Sequence, residues 1–127
     1  AKNNLQKYVT TSGWLKNDEI IKKLKSADIF VLPSWQEGMP NSLIEALAAG
    51  LPSISSSVGS IPDYISHNHN GLLIEPKNEL DLENNLEKLI NDMQLRKKLS
   101  KNAVILAEKK FSADISLKNL SKLIKSI

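Results

Sequence analysis

The sequence predicts an α/β protein, a parallel sheet with helices between its strands, followed by a purely helical carboxyl-terminal segment. Three observations predict it. Short apolar runs alternate with helical patterns from Tyr8 to Ile74. A Gly/Pro turn, Glu37-Gly38-Met39-Pro40-Asn41-Ser42-Leu43-Ile44-Glu45, leads from one apolar run into a helix. After Glu75-Pro76, apolar residues recur only at helical spacing.

In chain order, Tyr8 to Thr11 reads as a strand and Asp18 to Lys25 as a helix. Ile29-Phe30-Val31-Leu32 is continuously apolar, as in a parallel strand buried on both faces. Leu43 to Ala49, rich in Leu and Ala, forms the next helix, Ser53 to Ser56 the next strand and Ile61 to Ile65 a short helix. Ser66-His67-Asn68-His69-Asn70 is a polar loop into the strand Leu72 to Ile74. Beyond it, Leu82, Leu86, Leu89 and Met93 share one helix face, then Leu95, Leu99 and Leu106, then Ile115, Leu120, Leu123 and Ile127, with Ser112 as an N-cap. The alternation describes a Rossmann-like sheet over about 7–76 and a helical tail over about 79–127.

At 127 residues the chain buries one core, that of a single domain. Hydrophobic content of 41% with 24% charged residues is that of an ordinary globular chain. It has no run of eighteen apolar residues and no signal-like amino terminus, so nothing here is expected to span a membrane. The absence of cysteine excludes disulfides and cysteine-ligated metal and fits a reducing compartment, with the cytoplasm the default. A net charge of +3 is modest, and no nucleic-acid partner is expected. The pairs Lys22-Lys23, Lys97-Lys98 and Lys109-Lys110 read as solvated helix faces; the alternative is a peripheral contact with anionic lipid at the inner face of a membrane.

The turn carries the chemistry. It lies at a strand's carboxyl end, where open α/β sheets bind ligands. A helix starting near Asn41 or Ser42 points free backbone N–H groups and its positive dipole end into that crevice, which suits a diphosphate. Gly38 lets backbone approach a ligand closely, and Glu37 and Glu45 flank the phosphate site, each able to accept hydrogen bonds from sugar hydroxyls. Two plainer readings stand beside this. Ser42-Leu43-Ile44-Glu45 also fits a capping box, with Glu45 reaching back to the Ser42 N–H, and Glu37 also fits an exposed loop carboxylate.

Taken together, Ala27-Asp28-Ile29-Phe30-Val31-Leu32-Pro33-Ser34, the Glu37 to Glu45 turn, Ala46-Leu47-Ala48-Ala49-Gly50-Leu51-Pro52 and Gly59-Ser60-Ile61-Pro62-Asp63 resemble the family 4 glycosyltransferases, specifically the carboxyl-terminal half of a GT-B enzyme. The resemblance runs from about Tyr8 to Phe111 and includes Ser12-Gly13-Trp14 and Asn70-Gly71-Leu72-Leu73-Ile74. It implies retaining transfer of a sugar from a nucleotide diphosphate donor, of UDP or GDP type, to an acceptor hydroxyl, without a metal or other cofactor, in polysaccharide or glycolipid synthesis. Glu37 matches the catalytic, sugar-facing glutamate, and Glu45 matches the ribose-binding one. Backbone N–H groups of Asn41 and Ser42 would hold the diphosphate. Gly38, Met39 and Pro40 complete the donor-binding turn, where many relatives carry Gly-Phe-Gly.

The resemblance also calls for an upstream Arg and Lys on the diphosphate. The single arginine, Arg96, falls in a later helical pattern and reads as a solvated residue, Lys2, Lys7 and Lys16 do not match the missing pair, and the first residue is Ala1. The expectation is therefore a partial donor domain without its amino-terminal acceptor domain, inactive alone. In a sheet of order 3-2-1-4-5-6 the resemblance makes the strands here the third to sixth, which leaves a gap between Tyr8–Thr11 and Ile29–Leu32. The apolar edge of Ile29–Leu32 is then expected to be covered by Tyr8–Thr11 moving in, by a second copy or by neighbouring molecules.

The remaining chemistry-bearing residues have structural readings. His67 and His69 are too few to hold a metal, and Asp81-Leu82-Glu83 falls in a helix's first turn, where carboxylates complement the dipole. Trp35 reads as a pocket wall or a cover over the sheet's end, and Trp14 as a base-binding wall or a hydrophobic cap. Two rival functions remain at this point: a GT-B-type nucleotide-sugar epimerase, and a non-enzymatic receiver-like α/β module, for which Tyr8–Thr11 lacks a flanking acidic pair.

Overall fold

The computed structural model describes residues 4–126. Ala1, Lys2 and Ile127 lie outside the described residues. After a single 3-10 turn at Leu5–Lys7, the elements are α1 (Asn17–Ser26), β1 (Phe30–Leu32), α2 (Asn41–Ala48), β2 (Ser53–Ser56), α3 (Ile61–Tyr64), β3 (Leu72–Ile74), α4 (Glu79–Asn91), α5 (Met93–Lys110) and α6 (Ala113–Lys125). The three strands form one parallel sheet in the order β1-β2-β3. Val31 pairs with Ile54 and Ile54 with Leu72, so the three strands stay in step and their carboxyl ends open on the same side.

The two-residue alternation of each strand divides the core into two layers. Phe30, Leu32 and Leu73 face Leu43 and Leu47 of α2, Ile61 of α3, and Ala103 and Ala107 of α5. Val31, Ile54, Leu72 and Ile74 face Leu82, Leu86 and Leu89 of α4 and Leu99 of α5. Each fully buried Leu or Ile contributes ~1.5–3 kcal/mol, so these two layers dominate the stability. In α2 the buried residues are Leu43, Ala46 and Leu47, at i, i+3 and i+4, which turns Asn41, Ser42 and Glu45 outward.

Several sequence expectations need correction. Tyr8–Thr11 is not a strand: it is irregular and exposed, with Tyr8 at 75% and Val9 at 61%. A strand requires a partner, and among the described residues β1 pairs only with β2, so Tyr8–Thr11 does not cover the other edge of β1. Met93 does not continue the α4 face. Asp92 ends α4 and its carboxylate accepts the Leu95 N–H, 2.8 Å, starting α5 one residue later and leaving Met93 exposed. Arg96 is not simply solvated: its guanidinium donates to the carbonyls of Leu89 and Ile90 and closes the carboxyl end of α4. The Ser112 cap is present, its hydroxyl accepting the Ile115 N–H at 3.3 Å.

Candidate active site

The Glu37–Glu45 turn is built from the end of β1 outward. The Ser34 hydroxyl donates to Glu37 Oε1 at 2.7 Å, so Glu37 is half-buried and held, not a free loop carboxylate. Met39 packs on the first core layer and anchors the turn from below. Gly38 is exposed, and a Cβ there would meet nothing within 4 Å, so the protein's own packing does not demand glycine at this point.

What fixes the turn is a residue to which sequence reasoning assigned no role. Gly59, with φ +56, lies so close to the Glu37 and Gly38 carbonyls that a Cβ would collide with the Glu37 oxygen. Beside it, the Ser60 N–H donates to the Gly38 carbonyl at 3.1 Å. The loop after β2 thus clamps the loop after β1. The signal was a glycine between a strand and a helix at Val58-Gly59-Ser60, a punctuation that marks a turn but not the chain it touches.

At the start of α2 the N-cap is Pro40, which offers no side-chain cap. The Leu43 and Ile44 N–H groups reach the Pro40 carbonyl, at 3.1 and 3.3 Å. Asn41 and Ser42 come before the first intrahelical bond, so their N–H groups face outward beside the positive end of the helix. This overturns the capping-box reading of Ser42 and Glu45: the helix begins two residues earlier than that pattern requires. Glu45 is exposed one turn below Asn41 and lines an open groove with Asn17, Ile20, Ile21 and Leu24 of α1.

The other flagged residues are sorted by their partners. His67 Nδ1 accepts the Leu73 N–H at 3.0 Å and so covers an outward amide of β3. Asp81 accepts the Glu75 N–H at 2.9 Å and the Asn85 amide at 2.8 Å, while Asn78 Oδ1 accepts the Asp81 N–H at 3.0 Å. Asp81 therefore ties down the start of α4, as its place in the first turn predicted. Among the described residues no three metal-binding side chains cluster, and no helix is long and apolar enough to cross a membrane. Trp14 is fully exposed, which removes its hydrophobic-cap reading. Trp35, 70% exposed, lines a crevice at the sheet's carboxyl end with Lys77 Nζ 4.8 Å from its ring centroid.

A parallel sheet, a clamped glutamate turn and an uncapped helix start are thus assembled at one edge. Residues 1–104 match the family described as "Glycosyl transferases group 1". The chain belongs to the group 1 glycosyltransferases. This membership sets aside the receiver-like alternative. The chain is 40% identical over 85 residues to the N,N'-diacetylbacillosaminyl-diphospho-undecaprenol alpha-1,3-N-acetylgalactosaminyltransferase of Campylobacter jejuni, covering 67% of this chain and 23% of that protein. It is 38% identical over 99 residues to the UDP-Gal:alpha-D-GlcNAc-diphosphoundecaprenol alpha-1,3-galactosyltransferase of Escherichia coli, covering 78% of this chain and 25% of that one. It superposes on the sucrose-phosphate synthase of Thermosynechococcus elongatus with a TM-score of 0.86 at 25% identity, over 98% of this chain and 33% of the synthase. The chain thus spans about a quarter of the length of these two relatives. The three strands and their helices correspond to part of a GT-B glycosyltransferase.

Proposed function

We propose that this chain is the donor-binding part of a retaining, metal-independent glycosyltransferase that moves a sugar from a nucleotide diphosphate donor to an acceptor hydroxyl. The observation that carries the reading is the proline-capped start of α2, flanked by Glu37 and Glu45. Pro40 has neither an N–H nor a side-chain acceptor, so nothing of its own competes for the Asn41 and Ser42 N–H groups. They and the helix dipole supply the positive field that a diphosphate needs. Glu37, fixed by Ser34, faces the transferred sugar and stabilises positive charge growing on its ring. Glu45 accepts hydrogen bonds from the ribose hydroxyls, with the α1–α2 groove beside it. Gly38 and Met39 shape the turn between them.

A UDP-type donor is supported by the name of the second relative, with a GDP-type donor the alternative, and an acceptor in polysaccharide or glycolipid synthesis by the names of both, which act on diphospho-undecaprenol-linked sugars. The amino-terminal acceptor domain and the upstream cationic clamp lie in the longer protein on this reading, which places it in the cytoplasm or at the inner membrane face. The free edge of β1 pairs with a second copy or with that missing part. The test is ligand-observed NMR with UDP, GDP and ADP on this chain and on Glu45→Ala. Binding that Glu45→Ala removes supports the reading. No nucleotide binding to the folded chain counts against it. In a longer protein, product analysis checks the chemistry: retained anomeric configuration supports transfer, whereas a donor altered without an acceptor indicates an epimerase.

A further inference from the structure

A second concavity opens at the carboxyl ends of the strands, about 400 Å³ in volume, within the range of small-molecule sites, ~300–1,000 Å³. It shares no lining residue with the donor turn or with the α1–α2 groove. All three strand ends contribute. Trp35 comes from the loop after β1, Ser56 ends β2, and Glu75 and Lys77 follow β3, with Glu79 and Leu82 from the first turns of α4. Ser56 is 1% exposed and closes the floor, while Trp35 stands 70% exposed as a wall.

The charges limit what can enter. Lys77 follows Pro76 in a left-handed conformation, φ 65, and its ammonium lies over the indole, 4.8 Å from the centroid. That leaves Glu75 and Glu79 as carboxylates without an ion-pair partner in the crevice, a lining that repels a phosphate or a nucleotide. The lysine in turn disfavours a cation. A neutral, hydroxyl-rich ring satisfies all of these groups once the flexible Lys77 side chain yields the indole to it: its C–H face rests on the ring, and its hydroxyls donate to the carboxylates and accept from the Lys77 ammonium.

We propose that the crevice between Trp35, Ser56 and the Glu75–Glu79 segment binds a neutral pyranose, as a subsite for a saccharide unit of the acceptor. The assignment to the acceptor rests on the glycosyltransferase reading above. Trp35 stands two residues before Glu37, so the crevice and the donor turn open from the same strand end.

The 127-residue chain itself is the test material. In a Trp14→Phe background, Trp35 is the single indole reporter. The methyl α-glycosides of glucose, galactose and N-acetylglucosamine are titrated by 15N NMR, with UDP as comparator. At least one glycoside is expected to shift the Trp35 indole N–H and the amides of 75–82, and both Trp35→Ala and Glu79→Gln are expected to weaken that glycoside at least tenfold. Both side chains are exposed, so the fold is retained. The proposal is overturned if no glycoside moves these signals, if the shifts persist in Trp35→Ala, or if UDP moves them in a manner that Glu45→Ala abolishes. UDP shifts at Asn41 and Ser42 report on the donor site separately. The crevice can therefore fail while the donor reading stands, and glycoside binding without UDP binding would retain the saccharide site and overturn the donor reading.

Discussion

Two strand-to-helix junctions lie at the same end of the sheet, on either side of β2, and they treat their helix starts in opposite ways. After β3, Asn78 caps α4 through the Asp81 N–H, and Asp81 in turn holds the Glu75 N–H. After β1, α2 begins at Pro40 with no side-chain cap. At α4 the cap side chain sits over the first turn and takes the Asp81 N–H, whereas at α2 no side chain occupies that space and it stays open to a ligand. The polar residues around Asp81 are therefore read as stability, and those around Asn41 as binding.

The harshest way to break this contrast is Gly59→Ala. A side chain at φ +56 aimed at the Glu37 carbonyl forces the donor turn off its seat, at an expected cost of about 3 kcal/mol in urea unfolding and with loss of UDP binding. Asp81→Ala comes next. It takes away the acceptor of the Glu75 N–H and one of the two acceptors of Asn85 Nδ2, leaving it the Asp81 backbone carbonyl, and should cost about 2 kcal/mol in the same measurement while leaving UDP affinity unchanged. Pro40→Asp sharpens the comparison by giving α2 the cap it lacks. Thermal unfolding should show a gain of about 1 kcal/mol, and calorimetry at least a tenfold loss of UDP affinity. A gain in both would show that the bare helix start is not where the diphosphate sits. The smallest effect on the fold belongs to Glu45→Ala. Its exposed carboxylate makes no cap, so stability should stay within ~0.5 kcal/mol while UDP affinity falls at least tenfold.

The parts of this architecture that were legible in the sequence are those set by local pattern. Ser53–Ser56 and Leu72–Ile74 are strands at the predicted residues, and the start of α2 lies at Asn41, because apolar runs and turn residues encode these locally. The residues proposed to bind the donor likewise come from one contiguous stretch. What misled was anything decided at a distance. Tyr8–Thr11 has the composition of a strand, but no neighbour pairs with it. Ser42-Leu43-Ile44-Glu45 has the spacing of a capping box, but the helix starts two residues too early for it. Arg96 reads as a solvated helix residue until Asp92 breaks the helix and brings the Leu89 and Ile90 carbonyls within its reach. Gly59 acts on a segment about twenty residues before it, and no periodicity carries that information.

The clamp between the two loops also has an evolutionary consequence. Because the Glu37–Gly38 carbonyls lean on Gly59 and Ser60, the placement of the donor turn is inherited from a segment outside it. On the donor reading proposed above, drift in residues 57–60 retunes which sugar is accepted while every side chain of the turn stays the same, so two homologues with identical glutamates need not share a substrate. A library that varies those four positions is correspondingly a small search space for altering selectivity.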